Sequence, residues 1–171
     1  MSDKKASEPL VDFLNSQLDR VNYWLSFAEA KNGALLALNV AALALLSDFG
    51  SDYTVIWTLV VISLLASCAV ALWSFFPITK ELCYKKEFEH EDNLTFWGDI
   101  AAYSSETYLN EVLRQYFPRS SECTASRLAQ DIANEITSNS KIAFRKYKFF
   151  KGALFLDGLA VILGAILCVL A

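Results

Sequence analysis

The stretch GALFLDGLAVILGAILCVLA, Gly152 to Ala171, decides the fold class of this chain. Crossing a bilayer takes roughly 20 largely apolar residues, because about 30 Å of hydrocarbon is covered at about 1.5 Å per residue. The stretch is long enough for that, and its one charge is Asp157. Tyr53 to Thr79 is free of charge and rich in Val, Leu and Ile, and reads as a second span. Asn32 to Ser47 is uncharged but short; Lys31 can snorkel at its end, and pairing with the next span helps it insert. The alternative for Asn32 to Ser47 is a buried core helix beside a single hairpin. A hydrophobic content of 54% and a mean hydropathy of +0.31 exceed those of an ordinary soluble domain, which favours the membrane reading.

The expected fold is an all-α membrane protein with three transmembrane helices and cytoplasmic helical extensions. Residues 1–31 form a cytoplasmic amphipathic helix, and 32–78 a transmembrane hairpin with spans at about 32–47 and 53–78. Residues 79–148 form a cytoplasmic helical sensor region, and 149–171 the third transmembrane helix. Basic residues orient it. Asp48 to Asp52 has none, whereas Lys80, Lys85 and Lys86 follow the second span and Arg145, Lys146, Lys148 and Lys151 approach the third. The positive-inside rule puts the N-terminus and the 80–148 region in the cytoplasm and the C-terminus on the outer face, which in a bacterium means the inner membrane and periplasm. No basic stretch leads into a short apolar run near the start, so no cleaved signal peptide is expected.

Helical periodicity extends beyond the spans. Ser7-Glu8-Pro9 reads as an N-cap and early-turn proline, followed by a face of Leu10, Leu14, Leu18, Val21, Leu25 and Ala28. The second span is expected to run past a kink at Pro77 into a charged helix ending near Asp92. Gly98 to Phe117 shows one helical face through Ile100, Tyr103, Thr107, Tyr108, Val112 and Tyr116, ended by Pro118. Ser120-Ser121 then starts a last helix, lined by Leu128, Ile132, Ile136, Ser140, Ala143 and Tyr147, which passes into the third span.

Catalytic chemistry has little to work with. The four cysteines are scattered, His90 is the only histidine, and neither G-x-G-x-x-G nor a P-loop occurs. No catalytic residue, metal site or cofactor is therefore expected. A net charge of −4 offers no basic surface for nucleic acid.

The polar residues inside the spans carry more. Asp157 lies on a stripe of small residues (Ala153, Ala160, Gly164, Cys168) that lets helices approach, so it should face helices rather than lipid. Asn39 sits mid-way along the first span, and Ser63, Ser67 and Ser74 fall near one face of the second. A carboxylate at membrane depth costs about 2.5–3.5 kcal/mol and commonly marks function. Asp157 is read either as an interfacial carboxylate pairing with Lys31 or Lys151, or as part of an inter-subunit surface that hydrates when helices rearrange. Three spans enclose little water, so a pore would need an oligomer.

In the cytoplasmic part, Asn93-Leu-Thr-Phe96-Trp97-Gly98-Asp99-Ile100 sets two aromatics beside an amide and a carboxylate, a combination that suits a flat base. Ile142-Ala143-Phe144-Arg145-Lys146-Tyr147-Lys148 offers cations for a phosphate. Both stretches also have plainer readings, helix packing for the aromatics and positive-inside anchoring for the cations.

Glu29-Ala-Lys31-Asn32-Gly33-Ala34-Leu35-Leu36 resembles the D-x-K-A-x-x-L-L motif at the first span of the Pycsar effector transmembrane domain, with Glu29 where Asp is commoner. Asn93 to Ile100 resembles that family's aromatic-aromatic-Gly-acidic-or-His-aliphatic motif, and Asn139 to Tyr147 its A-x-R-K-aromatic motif before the last span. The three occur in the family's order, and the resemblance runs from about residue 10 to 171. It implies an effector of bacterial anti-phage defence. A partner cyclase makes cyclic CMP or cyclic UMP on infection, and the effector binds it and impairs the inner membrane. On this reading the partners are membrane lipid, the cyclic pyrimidine nucleotide and further copies of the same chain in a homo-oligomer. Candidate ligand-binding residues are Asn93, Phe96, Trp97, Asp99, Arg145 and Lys146; candidate gating or helix-interface residues are Glu29, Lys31, Asn39 and Asp157. The rival classes are a membrane scaffold or accessory subunit, docking through Leu14, Leu18 and Val21, and a small ion or proton carrier using Asp157.

Overall fold

A computed structural model describes residues 3–47, 54–77, 92–118 and 126–170. Among these residues the chain is helical, with α1 at Asp3–Ser47, α2 at Thr54–Trp73, α3 at Trp97–Ile100, α4 at Ser105–Tyr116 and α5 at Arg127–Leu170, and there is no strand. Three of the helices, α1, α2 and α5, are long and apolar enough to cross a membrane. At 45 and 44 residues, α1 and α5 are each about twice as long as a crossing requires. The short first span is thereby explained: it is the apolar end of a longer helix and need not nucleate alone.

The chain divides into two compact units, residues 1–26 with 78–144 and residues 27–77 with 145–171. Both α1 and α5 contribute to each.

The first unit has the core of a water-soluble helical domain. Leu10, Leu14 and Val21 of α1 pack with Ile100, Tyr103, Tyr108 and Val112, and with Ala129, Ile132 and Ile136 of α5. Each contributing face repeats at three- and four-residue steps, as an amphipathic helix requires. Asn139 of α5 adds a side-chain hydrogen bond, its Nδ2 donating to Asn22 Oδ1 at 2.8 Å.

In the second unit the apolar side chains point outward. Leu38, Val55, Leu65, Phe155, Val161 and Val169 are all exposed. A soluble protein does not leave apolar surface of that extent to water, whereas lipid-facing helices do. Its interior is thin and layered. Leu35, Ala71 and Ala153 form one apolar layer, and Val60, Leu64 and Ala160 another, packed on Ala42 and Leu43. Small residues at Ala71, Ala153 and Ala160 are what allow this close approach.

Several helix boundaries differ from the sequence reading. α1 begins at Asp3, so Ser7 is not its cap and Pro9 lies inside it. A proline there leaves the carbonyl of Lys5, four residues earlier, without its backbone donor. α2 stops at Trp73 and the chain turns through Ser74 to Phe76, with Ser74 N donating to Ala71 O at 3.1 Å. The predicted continuation through Pro77 fails there because the residue before a proline is driven out of the α region. The charged segment expected to follow, and Ser120-Ser121, lie outside the described residues. The single helix expected over Gly98 to Phe117 is two. Ser104 breaks it with extended backbone and caps α4, its Oγ accepting from Thr107 N at 3.1 Å. The restart shifts the register, so Leu109 and Leu113 join the core while Tyr116 is exposed. At the far end Ser126 Oγ accepts from Ala129 N at 3.2 Å and caps α5. Leu128, counted on the inner face from sequence, is exposed; Ala129 takes that place.

Candidate functional site

Three groups of polar and aromatic side chains stand out, one in the first unit and two in the second. The first is the loop from Asn93 into α3, which closes on itself. Asn93 Oδ1 accepts from Thr95 N at 2.9 Å and Thr95 Oγ1 at 2.7 Å, an Asx-type turn. Asn93 N in turn donates to Asp99 Oδ2 at 3.1 Å. The amide and the carboxylate expected to read a base edge therefore hold the loop in shape. Below it, Leu94 is fully buried and its carbonyl accepts from Tyr108 Oη at 3.2 Å.

That scaffold displays rings. Phe96 is exposed and its centroid lies 5.2 Å from that of Trp97, which lies 6.3 Å from Phe144 of α5. The glycine between the aromatics and the acid has a steric role: a Cβ on Gly98 would overlap the Phe96 ring. Phe144 was missed as a site residue in the sequence. It occupies the variable position of the A-x-R-K-aromatic stretch, and only the fold brings it to Trp97.

The second group joins the two motifs that are furthest apart in sequence. Lys146, on α5, is buried; its Nζ lies 3.1 Å from Glu29 Oε1 on α1 and donates to Ser74 O at 3.2 Å. Ser74 follows the last residue of α2, where helix carbonyls have no partner in their own helix and the dipole favours a cation. Asn32 Nδ2, also buried, donates to the Lys146 carbonyl at 3.3 Å and to Ala28 O at 2.9 Å. Lys31 Nζ lies over three rings, 4.5 Å from the Phe27 centroid, 5.5 Å from Tyr147 and 5.4 Å from Phe150. Arg145 packs over Phe149 at 5.2 Å. Glu29, Lys31 and Asn32 thus interlock with Lys146 and Tyr147 in a clasp that ties α1, α5 and the end of α2 together.

The third group lies within the spans, between the two apolar layers. Asn39 Nδ2 donates to Ser67 Oγ at 2.9 Å, and Ser67 Oγ donates to Ala153 O at 3.1 Å, linking α1, α2 and α5. Asp157, one turn beyond Ala153, is buried, and neither of its carboxylate oxygens has a hydrogen-bond partner. The small-residue stripe around it is buried at Ala153 and Ala160, but Cys168 is exposed.

The sequence-selected residues accordingly fall into both units. Asn93, Phe96, Trp97 and Asp99 belong to the first; Glu29, Lys31, Asn39, Arg145, Lys146 and Asp157 belong to the second. Lys146 engages Glu29, so a ligand phosphate would have to exchange with that carboxylate. Among the described residues no cluster of histidine, cysteine and acidic side chains could hold a metal ion.

The Pycsar effector protein domain model matches residues 13–171 of this chain. The chain is also similar to the Pycsar effector protein RsPycTM of a Rhizobium species, 29% identical over 156 residues that cover 84% of this chain and 87% of that protein. No solved structure matches it.

Proposed function

The chain belongs to the Pycsar effector family of membrane effectors in bacterial anti-phage defence, and we propose that it binds a cyclic pyrimidine nucleotide and then impairs the inner membrane. The nucleotide is cyclic CMP or cyclic UMP from a partner cyclase, the protein is not an enzyme, and the active form is a homo-oligomer. The N-terminus and the first unit face the cytoplasm, as the basic residues around the spans indicate.

One observation carries this reading. Two uninterrupted helices, α1 and α5, each supply residues to a unit with a soluble core and to a unit with lipid-type surfaces. A ligand that favours one arrangement of the first unit can thereby bias the second through the helices they share. The ligand must bind the active arrangement better; about 5.5 kcal/mol of preference carries a population from 1:99 to 99:1.

For recognition, the exposed Phe96 ring beside Trp97 in the first unit is the proposed stacking surface for the base. Phe96→Ala should weaken nucleotide binding by about tenfold, the scale of one base–aromatic stack. Gly98→Ala should do the same indirectly by displacing the ring, while leaving the melting temperature nearly unchanged because Phe96 can swing into solvent. Calorimetric titration with cyclic CMP and cyclic UMP reads both. Unchanged affinity in Phe96→Ala would remove the stacking surface.

The function itself is tested by dye release from liposomes carrying the purified protein, titrated with cyclic CMP, UMP, AMP and GMP. Release with a pyrimidine nucleotide alone is expected. Folded, inserted protein that releases nothing with any of the four would refute the proposal and favour the scaffold class.

A further inference from the structure

Asp157 is the only acidic or basic residue in Asn32–Ser47, Thr54–Pro77 and Gly152–Leu170. It is 8% exposed and neither oxygen has a hydrogen-bond partner, so it makes no visible structural bond within the unit. Apolar side chains form the layers on either side of it. The polar groups near it are uncharged. Asn39 Nδ2 donates to Ser67 Oγ, which donates to Ala153 O, and Ser63 lies one turn along α2 from Ser67. The pairing with Lys31 or Lys151 expected from sequence is not made: Lys31 lies over its three rings, and neither Asp157 oxygen has a hydrogen-bond partner. The second unit therefore holds one uncompensated acidic residue within a polar layer that joins all three of its helices.

On the proposed function above, on which this inference rests, such a layer is the part of the spans that water enters when the helices repack. We infer that Asp157 sets the charge selectivity of the leak: it is the fixed negative charge on the conducting path and makes the path prefer cations. Acidic side chains lining a pore act in this way, attracting cations and repelling anions at close range. Ser63, Ser67 and Asn39 supply neutral oxygens along the same path and do not discriminate by charge.

The test is the reversal potential of nucleotide-evoked current, measured for the full chain in planar bilayers under a potassium chloride gradient with cyclic CMP or cyclic UMP added. Wild type should pass potassium over chloride by about tenfold, equivalent to ~1.4 kcal/mol. Asp157→Glu should keep that preference. Asp157→Asn, nearly isosteric, should still conduct with a ratio near one. A structural role alone would change current amplitude or melting temperature and leave the reversal potential in place. Wild-type current without cation preference would overturn the inference with no variant needed. So would an Asp157→Asn variant that keeps the wild-type reversal potential, or one that folds but conducts nothing. Absence of any evoked current in wild type would instead refute the membrane-impairing function itself, and the inference with it.

Discussion

Glu29→Ala is expected to destabilise the purified protein by about 3 kcal/mol, and Lys146→Met by less than about 1 kcal/mol. The ion pair is asymmetric: the Lys146 side chain is 10% exposed and that of Glu29 50%. Removing Glu29 leaves a buried ammonium with the Ser74 carbonyl as its remaining hydrogen-bond acceptor. Breaking a buried pair from that side leaves an uncompensated charge, the costly case. Removing Lys146 instead leaves a carboxylate that water can reach. Methionine fills the aliphatic volume against Phe75, which the lysine already covers at 5.4 Å. Glu29→Gln should fall between the two, because an amide oxygen still accepts a hydrogen bond. Thermal unfolding in detergent or nanodiscs distinguishes the variants. A Lys146→Met loss equal to or larger than that of Glu29→Ala would show that the pair is not organised around the buried lysine.

Tyr108→Ala should cost about 4 kcal/mol, the usual range for emptying a buried aromatic site, whereas Tyr108→Phe should cost about 1 kcal/mol. The ring is fully buried in the core of the first unit, and the hydroxyl donates to the carbonyl of the equally buried Leu94. The phenylalanine variant keeps the packing and loses only that bond. The hydroxyl also makes a pH prediction. Burial raises the Tyr108 pKa above its ordinary value of 10.0, the nearby Tyr116 adds to the rise, and Arg20 opposes it. The unfolded chain then releases this proton at lower pH than the folded one. The contribution of Tyr108 is fully present below pH 10 and declines above it by up to about 1.4 kcal/mol per pH unit. Unfolding curves from pH 9 to 11 should therefore fall more steeply for wild type than for Tyr108→Phe. Parallel curves would show that the Tyr108 proton is not held by the fold.

The contrast between these two sites shows what kind of information the chain displays openly. The core around Tyr108 follows from periodicity, since Leu10, Leu14, Val21, Val112, Ile132 and Ile136 recur at helical steps. The breaks between helices are not marked in the same way. Ser104 ended one helix and began another with no proline or glycine to mark the place, although Ser104-Ser105-Glu106 carries an N-cap and an acidic first turn. The clasp was only half legible. Its residues lie in motifs that could be picked out, but a basic residue before a span looks the same whether it anchors to headgroups or reaches a helix end.

The sequence by itself determined the all-helical class and the three membrane-crossing helices, because both are properties of local runs: apolar length and apolar period. It also marked Asp157, because a charge within an apolar run is visible without a neighbour. Only the tertiary structure decided which groups meet. Lys146 joins Glu29 and Ser74 across more than a hundred and across seventy-two residues of chain, respectively. Phe144 reaches Trp97, Asn39 bonds to Ser67, and Asp157 is left without a hydrogen bond. Hydrogen bonds and ion pairs act over about 3 Å and depend on helix register and crossing, which local composition does not specify. The same polar residue can therefore be a clasp, a cap or an isolated charge, and packing chooses among them.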